Sequence, residues 1–162
     1  MESQKIRLSE LLNAAQYRER RPKMLRDIIA LKTLRRVELG PWVSFVFENR
    51  ETVVFQIQEM LRIEHIDEPE KIEHEIDTYS ELLPGPGELS ATLFIEITNA
   101  AQRREALTQL AGIEKNVSLQ IGGLRIPAED KRPFDRIYER PQASCVYYLR
   151  FAVKTVSREA FL

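Results

Sequence analysis

The spacing of hydrophobic and polar residues divides this chain into helical and extended stretches. Ser9 is placed to cap a short helix with Leu11, Leu12 and Ala15 on its apolar side. Pro22 interrupts that pattern, and a second helix follows with Met24, Leu25, Ile28, Ile29 and Leu31 on a broad stripe. Lys23, Arg26 and Lys32 fall on its other side, and Arg35 and Arg36 at its end suit the helix dipole. The period then changes to two. Val37 and Leu39 flank Glu38; Val43, Phe45 and Phe47 alternate with Ser44, Val46 and Glu48. Residues 89–98, 117–121 and 145–154 alternate in the same way, the pattern of strands with one buried face in a mostly antiparallel sheet.

Between the strands the helical period returns. Residues 50–64 place Val53, Val54, Ile57, Met60 and Leu61 on one face, with Asn49 or Thr52 available as cap. Residues 69–82 form an acidic helix with Pro69 in its first turn, closed by Pro84-Gly85-Pro86-Gly87. A further helix runs from an Asn99 cap to Gly112, and the proline- and charge-rich stretch 122–142 reads as a long excursion. The order is ααββααβαββα. The expectation is a single α+β domain over residues 1–162, a helical segment at 8–34 followed by sheet and helices at 35–162. It would be two-layered, with a mainly antiparallel sheet of about five strands and helices packed on one face.

Composition narrows the class. The 162 residues are 43% hydrophobic and 30% charged with 6 Gly, which excludes a disordered chain. The N-terminus lacks the apolar core of a signal peptide and no apolar run reaches membrane-spanning length, so a cytoplasmic protein is expected. The net charge of −1 conceals segregation. Residues 1–47 hold ten Lys/Arg against five Asp/Glu, whereas residues 48–81 hold eleven acids against three bases. Such blocks either steer a charged partner or pack side by side and face solvent.

Familiar catalytic motifs are absent: the sequence holds neither a phosphate-binding glycine loop nor GxSxG. The single cysteine, Cys145, falls mid-strand on the apolar face and reads as a buried structural thiol. For metal binding the weak candidates are His65, His74 and Glu70; Glu70 and His74 are four apart on one helical face. The expectation there is a solvated acidic helix without metal. Phe94 and Tyr148 beside Arg150 are the nearest approach to a base-stacking surface, but no nucleic-acid signature accompanies them, and no nucleic-acid partner is expected.

One stretch carries more polar residues than packing requires. Glu48, Asn49 and Arg50 occupy the turn after a strand, and Gln56, Gln58, Glu59 and Arg62 follow on the helix. Two readings are open. These seven side chains could line a pocket for a charged small molecule, with a glutamate as general base. Alternatively, the arginines pair with Glu48 or Glu59 and pin the helix to the sheet.

The same stretch carries a resemblance. Leu39-Gly40-Pro41, Phe47-Glu48-Asn49-Arg50, Thr52-Val53 and Phe55-Gln56-Ile57-Gln58-Glu59-Met60-Leu61-Arg62 resemble an uncharacterised bacterial family, a domain of unknown function. The likeness continues through Glu88-Leu89, Ala91-Thr92-Leu93, Gly112-Ile113-Glu114 and Leu149-Arg150-Phe151. It brings no activity or catalytic residues. It implies a setting, because genes of this family often neighbour those of rubrerythrin-like proteins and iron–sulfur oxidoreductases. The expected function is therefore an accessory or interaction protein in redox or oxidative-stress metabolism, with such a protein as partner. With one cysteine the chain has no ligand set for its own cluster, and no cofactor is expected.

Overall fold

A computed structural model describes residues 5–130, 145–154 and 156. The chain forms two compact units that interleave in sequence. One comprises the chain up to Arg35 together with Glu48–Leu83; the other comprises Arg36–Phe47 and the chain from Pro84 onward.

The first unit is helical: a 3-10 turn at Leu8–Glu10, then α1 (Ala14–Arg35), α2 (Arg50–Ile63) and α3 (Pro69–Ser80). Pro22 lies inside α1 rather than between two helices. Its ring removes one backbone donor and ordinarily costs about 3 kcal/mol. Anchors on both sides of it, Tyr17 and Ile28, are buried and hold the helix through the defect. The broad stripe expected on α1 is not buried as a whole: Ile28 is, while Ile29 is 58% exposed. The core of this unit is Ile6, Tyr17, Val53, Ile57, Ile76, Tyr79 and Leu82, each at most 4% exposed. Val53, Ile57 and Ile76 follow the helical spacing of α2 and α3 that the sequence displays. Asn49 caps α2: its side-chain oxygen accepts from the Thr52 N–H at 3.0 Å, and the Thr52 hydroxyl accepts from the Asn49 N–H at 3.0 Å. A cap of this kind contributes about 1 kcal/mol.

The second unit is built on a five-stranded antiparallel sheet. Its strands are β1 (Arg36–Leu39), β2 (Val43–Phe47), β3 (Glu88–Ile95), β6 (Glu129–Asp130) and β7 (Val146–Ala152), in the spatial order β1-β2-β3-β7-β6. Helix α4 (Ala100–Gln109) follows β3, capped by Asn99, whose side chain accepts from the Gln102 N–H at 2.9 Å. The apolar cluster joins Phe45, Leu93, Ile95, Tyr147 and Leu149 of the sheet to Ala106 of α4, so that helix covers one face within the unit. The fold is α+β.

Three features differ from the sequence expectation. Residues 118–121 form β4 (Ser118–Ile121), which leaves the main sheet and pairs with β5 (Leu124–Pro127) in a separate two-stranded sheet. The fifth strand of the main sheet is instead β6, inside the stretch read as an excursion. Residues 131–142 of that stretch lie outside the described residues. Second, β2 and β3 are buried on both faces: Ser44, Ser90 and Thr92, on the face expected to be polar, are at most 6% exposed. Small hydroxyl side chains tolerate burial when their single donor is used, and Ser44 donates to the Glu96 carboxylate at 2.9 Å. Third, Cys145 is exposed, not buried. The strand starts one residue later at Val146, and at this end the alternation no longer faces the core.

Candidate functional site

The seven polar residues of the strand–helix junction all belong to the helical unit, where the fold sends them in different directions. Glu48 is 4% exposed and accepts from the Thr52 hydroxyl one turn along α2. Asn49 is occupied as the cap described above. Arg50, at the first position of α2, reaches the 3-10 turn and grips Glu10 with two hydrogen bonds, Nε at 2.7 Å and Nη2 at 2.5 Å. The same Nη2 also donates to the Lys5 carbonyl at 3.1 Å. This bidentate guanidinium holds the Glu10 carboxyl below the usual carboxylate range, against the opposing effect of its partial burial.

Gln58 is 2% exposed and serves the backbone of Leu12. Its Oε1 accepts from the Leu12 N–H at 2.6 Å, and its Nε2 donates to the Leu12 carbonyl at 3.3 Å. A primary amide is the one side chain that satisfies both groups of an unpaired peptide at once. This pair fixes the segment entering α1 against α2.

Glu59 is the centre of a network of five hydrogen bonds. It accepts from the Tyr17 hydroxyl at 2.6 Å and from Arg21 through Nε at 2.7 Å and Nη2 at 2.9 Å. Arg62, one turn along α2, adds two longer bonds at 3.2 and 3.0 Å. Hydrogen bonds from Arg21 first, then Arg62 and Tyr17, outweigh burial and lower the Glu59 pKa to about 2. Burial, and then the neighbouring carboxylate, push the Tyr17 hydroxyl well above its ordinary value. Chemically this glutamate is a poor proton acceptor at neutral pH, which is the opposite of what a general base requires.

Sequence reasoning did not find Glu10, Tyr17 and Arg21, the partners that occupy Arg50 and Glu59. A signal for the last two existed: Tyr17 and Arg21 are four apart on one helix and face the same way. Gln56, on α2, is half-buried.

The other candidates are dispersed. His65 follows α2 at a turn with φ +54°, whereas His74 and Glu70 are exposed on α3. Among the described residues, no three His, Cys, Asp or Glu side chains come together as a metal site. In the sheet unit Phe94 and Tyr148 are half-buried, and Arg150 pairs with Glu88 at 3.3 Å. A concavity of about 570 Å³ in the helical unit is lined by Glu10, Leu12, Glu19, Arg20, Lys23 and Met24, and by none of the seven junction residues. No helix among the described residues is long and apolar enough to cross a membrane.

Comparison with known proteins agrees with the sequence resemblance. Residues 5–162 match the family described as "Protein of unknown function (DUF3501)". A crystal structure of a novel protein of unknown function from Burkholderia pseudomallei K96243 is similar to the chain with a TM-score of 0.86 and 35% identity. The match covers 92% of this chain and 77% of that one. No curated protein matches. A match to the family model along nearly the whole chain, with the same fold in a relative of this identity, means that the chain belongs to the DUF3501 family of proteins of unknown function.

Proposed function

We propose that this protein is a non-enzymatic accessory protein of the cytoplasm that docks on a redox metalloprotein. The partner is of the rubrerythrin-like or iron–sulfur oxidoreductase kind to which the family setting points. The observation that supports this reading is the engagement of the four charged candidates at the junction: Glu48, Arg50, Glu59 and Arg62 all have partners within the helical unit. A small-molecule site there would need to break ion pairs in order to bind. By contrast, Arg18, Arg20 and Arg26 on α1 and Glu70 on α3 are exposed, as are Glu73 and Asp77, which pair with Lys5. Exposed blocks of one sign speed encounter with a complementary surface and do so in a salt-dependent way.

The test is capture of a rubrerythrin-like or iron–sulfur oxidoreductase protein from the same genome, at low and at high ionic strength. The expected result is a complex that weakens with salt and is lost in an Arg18→Glu/Arg20→Glu/Arg26→Glu variant. A complex indifferent to both, or none at low salt, would overturn the reading.

A further inference from the structure

Strand β1 ends the main sheet, and all four of its residues are exposed. Val37 is 50% and Leu39 63% exposed, unusual for apolar residues in a strand. Which of its peptide groups face outward follows from the ladder. The Glu96 N–H donates to the Trp42 carbonyl at 2.7 Å, continuing the register that pairs Val43 with Ile95. The Ile95 N–H turns the other way, to the Cys145 carbonyl at 2.8 Å. Antiparallel bonding alternates, so the peptide groups of Val43, Phe45 and Phe47 point toward β1. There they meet Leu39 and Val37. The N–H and C=O groups of Arg36 and Glu38 therefore point away from the sheet, at its open edge.

We propose that a second copy of this chain pairs with β1 antiparallel about a two-fold axis at Val37, making one sheet continuous through both subunits. Charge selects the occupant and the register. Only outward-facing residues can form hydrogen-bonded pairs, so within β1 the possibilities are Arg36 with Arg36, Glu38 with Glu38, or Arg36 with Glu38. The first two place like charges directly opposite, which destabilises a strand pair. The third places Arg36 against Glu38 twice, with four backbone hydrogen bonds, and centres the axis on Val37. Side chains agree with it. Arg36 and Glu38 lie on the face of Val46 and Ser44, where Arg36 pairs with Glu96 and, at 3.7 Å, with Glu38, whose side chain is 76% exposed. Val37 lies on the opposite face with Phe45, where its symmetry mate covers it. A strand that presents its own complement is the arrangement expected of an isologous interface. An uncovered edge with exposed apolar side chains would otherwise be an aggregation liability. This inference stands apart from the redox-partner reading and does not depend on it.

The experiment is sedimentation of the full chain, followed by register-specific cross-linking in a Cys145→Ser background. The expected mass is twice the 18.9 kDa of one chain. Val37→Cys should form an intersubunit disulfide on mild oxidation, because opposed residues at a non-hydrogen-bonded position have Cα atoms about 4.5 Å apart. Leu39→Cys should not, because the two copies of Leu39 would lie about 13 Å apart, beyond disulfide reach. Glu38→Lys should weaken the dimer by at least about tenfold. A monomer at all concentrations overturns the proposal, and so does a dimer that links through Leu39→Cys, or one that Val37→Cys fails to link. The mass of the unmodified chain decides the first point without any variant.

Discussion

The junction at Glu48–Arg62 and the edge strand Arg36–Leu39 lie on either side of β2 in the sequence, and they spend polar groups in opposite ways. At the junction, side chains that look available in sequence are consumed: Arg50 by Glu10, Gln58 by the Leu12 peptide, Glu59 by Tyr17, Arg21 and Arg62. At the edge, side chains are ordinary and the backbone is what remains available. The lesson is that polarity of composition is a poor guide to a site. What distinguishes the two regions is whether the groups already have partners, and partners are a tertiary fact.

The contrast predicts where substitutions hurt. Glu59→Ala should cost the most, about 2–3 kcal/mol in chemical denaturation, because it strips charged hydrogen bonds from a part-buried cluster and leaves the Tyr17 hydroxyl without its acceptor. Thr52→Val should follow at about 1–2 kcal/mol. It keeps shape but removes the hydroxyl that serves both the buried Glu48 carboxylate and the Asn49 N–H. Acid should erode the same cluster. Glu59 has a folded pKa of about 2 against an ordinary 4.5. A depressed carboxylate pKa contributes stability that is fully present above the ordinary value and lost as pH falls through the folded one. The Glu59 contribution should therefore disappear between about pH 4.5 and pH 2, and the Glu59→Ala variant should show a correspondingly shallower acid dependence over that window. At the edge, Val37→Thr should change the stability of the folded subunit by less than about 0.5 kcal/mol, because a half-exposed side chain there holds little core.

The parts of the fold that were readable are those decided by period. The helical spacing of Val53 and Ile57 and the two-residue alternation of Leu93 and Ile95 each mark a buried face, and all four are buried. The Asn49 and Asn99 caps were readable because capping is local chemistry. The β4–β5 hairpin was missed although its signal was present: Ile121-Gly122-Gly123-Leu124 is a two-residue glycine turn between alternating strands. Its proximity to a proline- and charge-rich stretch masked it. Pro22 misled for a different reason. Local propensity argues for a helix end, and tertiary anchors at Tyr17 and Ile28 override it. For the site, the sequence displayed the junction residues but not their partners. Glu10 and Arg50 are forty residues apart, and nothing periodic connects them.

The claim that the junction is a structural clamp rests finally on the coupling between Tyr17 and Glu59. A double-mutant cycle of Tyr17→Phe and Glu59→Gln, read as unfolding free energy, measures it. If the clamp account holds, each single variant is destabilised and the pair shows a coupling of at least about 1 kcal/mol. A Glu59→Gln protein as stable as the parent or more so, with no coupling to Tyr17, is how a residue held ready for a ligand behaves. That result would contradict the account.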